Sequence, residues 1–325
     1  MFLDAVDASE LLGEWVSSDY IYGHIKQVLD YVGAEHVVQV VTDNNSSCIR
    51  MGRLLMSEYP HIQWTPCAAH SLDLVVKDVA KLSWISDILA KAKEIVNFIT
   101  TKRTVLAMYR SYKNLDIMGF SKTRFGYLFL VFERLLKVHS TLQQLVVSDS
   151  WRQWSGSRTQ EAMRVKSIIL SDDHYWKLME DIVFDFRPIY NIIRLTDQEG
   201  CTMGLLYTFM TNLSRVIDNA TRLERSHIIQ VQNILAARWE WFKRPVHAVA
   251  YILHPLWRTE GGNISPELQE GWISYIEKHC DGPIQRNEIE DELLLFLCKR
   301  GPFSRPESLL RDAMLKPVSW WAKYG

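Results

Sequence analysis

The sequence lacks any long apolar run and any paired-cysteine motif. No stretch reaches the ~18 uncharged apolar residues that a membrane-spanning helix needs, and the opening MFLDAVDASELLGEW lacks the basic start and apolar run of a signal peptide. Five cysteines are spread widely over 325 residues. That spread indicates reduced thiols in an intracellular protein rather than a disulfide framework. We therefore expect no membrane contact.

The sequence also lacks the short motifs of nucleotide-binding and hydrolase folds, since GxGxxG, GxxxxGK[ST] and GxSxG are all missing. The net charge of −1 excludes a chain that binds polyanions through its overall charge, so any basic surface has to be local. What the chain does have is 47% hydrophobic residues and twelve tryptophans. This composition predicts a sizeable packed core with several aromatic packing positions.

The first 82 residues alternate between short strand-like runs and helical patterns, and the run at 36–42 is rich in β-branched residues. Strands are predicted at 2–6, 36–42 and 61–65. Each is followed by a helical pattern, and the first helix is predicted to begin near Ser18–Asp19 and to end at Gly33. This alternation favours an α/β layer with parallel strands.

Helical spacing dominates the rest of the chain. It recurs at 84–99, 101–115, 124–147, 157–170, 173–195, 203–220, 226–254, 265–279 and 288–298. About three quarters of the chain is therefore predicted to be helical, which makes the fold class α/β plus α. The chain ends in SWWAKYG, and we expect these large rings to find no obvious partner within the chain.

Asp43 follows the β-branched run at the predicted tip of a strand and precedes two asparagines and two serines. It has two interpretations. Asp, Asn and Ser favour strand-to-helix turns without any metal, and spacing alone favours this interpretation. The alternative is a magnesium ligand, because hard cations prefer carboxylate oxygens and ligands gather at the carboxyl ends of strands.

Cys67 and His70 lie three residues apart at the start of a predicted helix and therefore share a face. A CxxH pair supplies only half of the four ligands typical of structural zinc, and no second pair of this kind accompanies it. We expect His70 to lie near Asp43, since both follow neighbouring strands. His247 and His254 lie on one apolar helix face and are predicted to be packed core residues.

Two stretches combine basic and aromatic residues. The first, 91–114, carries six cations, and this mixture suits a nucleic-acid backbone but is more often a solvated helix face. The second places Arg124 beside Phe125 at the head of a long predicted helix. That pair either stacks on a base or anchors the start of the helix.

A series of segments runs in order through nearly the whole chain: VVQVVTDNNSS, GRLLMSEYPHIQWTPCAAHSLDLVVKDVAKL, TRFGYLFLVFERLL, YWKLMEDIVFDFRPIYNIIRLTDQEGCTMGLLY, AARWEWFKRPVHAVAYILHP and SWWAKYG. This series resembles the hAT transposase superfamily, particularly its plant proteins with a domain of unknown function (DUF659) in a ribonuclease H-like core. The resemblance implies an α/β core interrupted by a large helical insertion. It divides this chain into a partial core over 1–82, an insertion over 83–255 and a helical C-terminal region over 256–325, which leads toward a dimerisation segment.

Members of this superfamily cut and join DNA with Mg²⁺ held by an Asp–Asp–Glu set. The resemblance implies that Asp43 matches the second aspartate and that Cys67 and His70 match a CxxH pair near the active site. Arg124 and Phe125 match a Thr-Arg-Trp motif that meets DNA, with Phe in place of Trp. No position in this chain matches the first aspartate or the glutamate of that set. The resemblance places the first aspartate on the first strand of the core, so we expect an incomplete sheet in a chain truncated at both ends.

One carboxylate does not position two divalent ions ~4 Å apart. We therefore expect no catalysis and no bound cofactor for this chain alone. Three functions remain open. The first is an inactive transposase-derived protein that retains DNA binding. The second is an interaction module that docks another copy of itself or a full-length relative. The third is an active transposase whose ends are missing from the gene model. The resemblance implies a nuclear protein.

Overall fold

A computed structural model describes the chain over residues 3–7, 16–112, 115–120, 127–196, 203–257, 264–280 and 282–325. These residues are mostly helical. They divide into two units. The first unit consists of residues 1–71, 198–211 and 239–325, and the second consists of 72–197 and 212–238. The division at residues 82 and 255 that the family resemblance implies stays a prediction.

The β-branched run of the first unit forms a strand, as predicted. β1 spans Gln39–Thr42 and β2 spans Gln63–Pro66. The two strands are parallel, with Val40 opposite Trp64, and they form a two-stranded sheet within the described part of the chain. The predicted combination of parallel strands with many helices is therefore confirmed, with a smaller sheet among the described residues than the sequence indicates.

Two helices pack beside these strands. α1 spans Ser18–Val32 and α2 spans Ser46–Glu58. Ser17 caps α1 by accepting from the Tyr20 amide at 3.1 Å. Gly33 ends α1 with a positive φ of 88°, which glycine adopts without steric cost. The buried side chains between these elements are Leu29, Met51, Leu55, Ile62 and Trp64.

The strand predicted at 2–6 is wrong over the residues that the structure describes there. Residues 3–7 have no regular secondary structure, and Leu3 and Val6 are exposed. The Asp4 carboxylate accepts from the amide of Ala5 at 2.7 Å. A local side-chain bond of this kind competes with a strand ladder, and no apolar face is buried to offset it.

Helices follow β2 along the rest of the chain. They are α3 Ala68–Val79, α4 Ser83–Thr101, α5 Arg103–Ser111, α6 Tyr127–Val147, α7 Asp149–Gln153, α8 Gln160–Ser171, α9 Asp173–Asp185, α10 Arg187–Thr196, α11 Met203–Asp218, α12 Arg225–Phe242, α13 Pro245–Ile252, α14 Pro266–His279, α15 Pro283–Leu297, α16 Arg311–Met314 and α17 Pro317–Tyr324. None of the helices in the described ranges combines the length and apolar character needed to cross a membrane.

Two of the predicted helices are each divided in the structure. The segment predicted at 173–195 is interrupted at Phe186, just before Pro188, and the one at 226–254 is interrupted just before Pro245. Proline has no amide hydrogen and its ring disfavours a helical residue before it, so it fits the first turn of a new helix better than the interior of an old one.

The aromatic residues at the end of the chain do find partners within it, so that expectation is wrong. Trp320 is 1% exposed, and its indole donates to the Ser308 carbonyl at 2.9 Å. Trp321 donates to the Leu253 carbonyl at 3.0 Å. Around Trp320 lie Leu256, Phe296, Phe303, Met314 and Tyr324. The sequence misses this cluster because its members are distant along the chain.

The second unit has an aliphatic and aromatic core around α6, whose Val131, Phe132 and Leu135 are fully buried. This unit also contains a buried carboxylate. Asp185 is 6% exposed and accepts from the backbone amides of Thr221, Arg222 and Leu223 at 3.4, 3.1 and 2.9 Å. Asp185 therefore fixes the turn that leads into α12.

Candidate functional site at the carboxyl end of the sheet

Asp43 occupies the turn between β1 and α2, with its side chain exposed. One carboxylate oxygen, Oδ1, accepts from the Asn45 amide at 3.0 Å. Asn45 in turn caps α2, since its Oδ1 accepts from the Cys48 amide at 2.8 Å. Asp43 therefore serves the strand-to-helix turn, which is the role that spacing alone favours.

Competing effects act on the Asp43 carboxyl. Partial burial raises its pKa, but hydrogen bonds from the Asn45 amide, the Cys48 thiol and the Asn45 side chain, together with the charge of His70, outweigh this effect. The pKa consequently lies below its ordinary value, and Asp43 is ionised at neutral pH. Burial, reinforced by the bond to Asp43, raises the pKa of the Cys48 thiol. Both effects favour the protonated thiol, which donates to the Asp43 carboxylate.

The structure brings Cys67 and His70 to the same end of the sheet as Asp43. The Cys67 amide donates to the Thr42 carbonyl at 2.6 Å, which places Cys67 directly beside the residue before Asp43. His70 lies in the first turn of α3 with its ring exposed, close enough for its charge to act on Asp43. Two parallel strands followed directly by helices produce this arrangement.

Sequence reasoning missed the polar contacts that hold this end of the sheet together. Asn44 Nδ2 donates to Ser71 Oγ at 2.9 Å, and Ser71 Oγ donates to the Cys67 carbonyl at 2.8 Å. Trp64 Nε1 donates to Thr42 Oγ1 at 2.9 Å, from β2 to the tip of β1. The only sign of these contacts in the sequence was a polar residue after each strand. Such a residue does not indicate which side chains form hydrogen bonds with each other.

The side chains at this end of the sheet do not fit the metal pair of a nuclease. Among the described residues, no group of three or more His, Cys, Asp and Glu side chains is placed to hold a metal ion. Near Asp43 lie the Cys48 thiol, the half-buried Cys67 thiol, the exposed His70 imidazole and the Asn44 amide, whose buried Oδ1 accepts no hydrogen bond from the described residues. Magnesium prefers oxygen ligands, and one carboxylate with one amide oxygen does not position the two Mg²⁺ ions of a nuclease.

Three of the six cations of stretch 91–114 are engaged by carboxylates within the second unit. Lys91 pairs with Asp172 at 2.5 Å, Lys102 pairs with Glu161 at 2.8 Å, and Arg110 pairs with Asp116 at 3.1 Å. A cation already paired with a carboxylate offers less net charge to a phosphate. The stretch therefore resembles an ion-paired helix surface more than a phosphate-binding surface.

Two arginines of α2 differ from these paired cations. Arg50 and Arg53 are exposed, and no carboxylate within the described ranges forms an ion pair with either of them. They are three residues apart, so they lie on one face of the helix. Arg124 and Phe125, which the resemblance implies for DNA contact, lie outside the described residues.

Comparisons with known proteins point to the N-terminal part of the chain. Residues 1–95 match the family model described as a domain of unknown function (DUF659). The match includes β1, β2 and the helices up to most of α4, and therefore covers Asp43, Cys67 and His70. No curated protein matches the chain.

Proposed function

We propose that this chain is a protein related to the hAT transposases, with a ribonuclease H-like α/β core, that binds DNA without cutting it. The observation that carries the proposal is the state of Asp43, which is ionised at the strand tip but bonded to the turn, and around which the described residues supply no group of three metal ligands. The match of residues 1–95 to the DUF659 model supports the relationship. The plant type of the family and a nuclear location are part of the proposal.

The DNA contact that we propose is made by Arg50 and Arg53. Both are exposed on one face of α2, just after the Asp43 turn, and both lack an ion-pair partner in the described part of the chain. Arginine donates to phosphate oxygens in a planar fork, and each neutralised phosphate releases condensed counterions. Binding through these residues is therefore expected to weaken with added salt.

The test is a titration of fluorescently labelled duplex DNA at several salt concentrations. The logarithm of the association constant is expected to fall linearly with the logarithm of the salt concentration, and Arg50→Gln with Arg53→Gln should reduce that slope by about 2. The matched control is Arg164→Gln, because Arg164 is already paired with Glu94 at 2.9 Å. An unchanged slope in the double variant, with wild-type affinity, contradicts the proposed contact.

The absence of cutting needs its own assay. Supercoiled plasmid and a labelled hairpin are incubated with the chain and Mg²⁺, and no nicked product is expected above a protein-free sample. Nicking that Asp43→Ala abolishes would show that Asp43 holds a working metal, and would favour the active transposase instead. The fold of Asp43→Ala is checked in parallel by circular dichroism.

A second candidate function is a protein-interaction module. Within the described residues β1 has β2 on one side only, and Val38 and Val41 are 57% and 53% exposed. An open, apolar strand edge is a surface on which a second chain adds a strand. Self-association or capture of a full-length relative that ignores salt, together with no measurable DNA binding, would favour this function.

A further inference from the structure

A cleft of about 320 Å³ opens in the first unit, where the end of α12 and the start of α13 meet α14. This volume lies within the range of small-molecule sites. Tyr207, Pro245 and Ala248 supply an apolar part of its lining. Gly271 lets α13 and α14 approach closely here. A Cβ on Gly271 would lie only 2.6 Å from the Cβ of Ala248.

His247 gives the cleft a buried hydrogen-bond donor. It lines the cleft and is only 2% exposed. Its Nδ1 accepts from the Arg244 amide at 2.9 Å, which places the proton of the neutral ring on Nε2. Burial, with the charge of Arg244, lowers the pKa of His247 to about 4, so the ring is neutral. Nε2 has no hydrogen-bond partner among the described residues.

Arg244 lines the same cleft and is half-buried. Its Nη1 donates to the carbonyls of Trp241 and Lys243, both at 2.7 Å. No carboxylate in the described ranges forms an ion pair with it, and its Nε and Nη2 have no hydrogen-bond acceptor there. A half-buried guanidinium favours an oxyanion that accepts from two of its nitrogens.

The other charges of the cleft select among oxyanions. Lys243 is engaged by Glu240 at 2.7 Å and by Glu267 at 3.0 Å. With Glu270, the lining holds three carboxylates against the two cations Lys243 and Arg244. A doubly charged phosphate is disfavoured in such surroundings, whereas a singly charged carboxylate costs less repulsion.

We propose that this cleft binds a small molecule that presents one carboxylate to Arg244 and His247 and an apolar body to Tyr207, Pro245 and Ala248. The site is separate from Asp43 and does not depend on the proposed DNA binding. The helical part of the first unit would thus bind a ligand independently of the residues around Asp43.

The experiment titrates 3-phenylpropionate into the full chain and follows binding by isothermal titration calorimetry. Saturable binding in the millimolar range is expected. The uncharged 3-phenylpropanamide, which has the same body, should bind at least about tenfold more weakly because it lacks the charge that pairs with the guanidinium. Equal affinity for the two compounds overturns the proposal, as does tighter binding of inorganic phosphate.

Variants locate the binding. Arg244→Gln should weaken 3-phenylpropionate by about tenfold, whereas Arg286→Gln, which removes a half-buried arginine of α15 paired with Glu290, should leave the affinity unchanged. Unaltered binding by a folded Arg244→Gln overturns the assignment. If that variant fails to fold, a nuclear magnetic resonance titration of the wild-type chain with 3-phenylpropionate tests the site instead. The imidazole signals of His247 should then shift with ligand concentration, and their constancy at saturation overturns the proposal.

Discussion

At the scale of single residues, Gly52 shows how closely helix and strand pack in the first unit. A Cβ on Gly52 would lie 2.3 Å from the ring of Trp64, and that ring is held by its bond to Thr42. Gly52→Ala is therefore expected to lower the free energy of unfolding by about 1–3 kcal/mol through overpacking. Urea denaturation measures the change.

The matched control is Gly23→Ala in α1, because nothing lies within 4 Å of a Cβ at that position. Alanine has the higher helix propensity, so Gly23→Ala should leave stability unchanged or raise it by about 0.5–1 kcal/mol. Equal effects of the two substitutions would show that Trp64 does not pack on α2 as described.

His247 makes stability depend on pH. Its pKa is lowered to about 4 by burial and by the charge of Arg244, whereas an unfolded histidine titrates near 6.5. Between these values the unfolded chain binds the proton and the folded chain does not. Stability is therefore full above about pH 6.5 and falls as the pH drops toward 4, by up to about 3 kcal/mol from this residue.

The check is the free energy of unfolding of the wild type and of His247→Gln from pH 7 to pH 4. The variant lacks the titrating group, so its stability should fall less steeply over that range. His36→Gln serves as the control, since its side chain is 71% exposed, and its curve should follow that of the wild type. Parallel curves for all three proteins would contradict the assignment.

At the scale of elements, Asp185 joins the end of α9 to the turn before α12. Its carboxylate accepts from three successive backbone amides, and the residue is 6% exposed. Asp185→Asn keeps the shape but replaces one acceptor oxygen by a donor, which leaves buried amides unpaired. A loss of about 2 kcal/mol is expected.

Asp149→Asn is the control for Asp185→Asn, because the Asp149 side chain is 82% exposed and pairs with Arg152 at the surface. It should change stability by no more than about 0.5 kcal/mol. Thermal denaturation of both variants measures the difference. A neutral Asp185→Asn would mean that the turn is stable without its carboxylate.

The edge of β1 gives a second prediction at the element scale. The carbonyls of Val38 and Thr42 accept from the amides of Gln63 and Cys67, on the side of β2. Because backbone groups alternate in direction along a strand, those of Gln39 and Val41 face the opposite edge. Within the described residues no strand covers that edge. Hydrogen exchange at Gln39 and Val41 should be faster than at the buried centre of α6. Equally slow exchange at both places would contradict an open edge.

At the scale of the whole molecule, the sequence predicts most of the helices and the strand at β1, because burial on one face leaves a period that local reasoning detects. Asp43 at the strand tip was predictable for the same reason. The burial of Trp320 and the pairing of Lys91 with Asp172 were not, since their partners lie far along the chain. The strand predicted at 2–6 was wrong over the described residues because a short apolar run does not reveal whether a neighbouring strand exists.

The central claim is that the chain binds DNA through phosphate contacts and leaves it intact. The most direct measurement is an anisotropy titration of labelled duplex across a salt series with Mg²⁺ present, followed by a denaturing gel of the same samples. We predict an association constant that falls steeply with salt and a labelled strand of unchanged length. Cleaved strands, or an affinity for DNA that ignores salt, would contradict the claim.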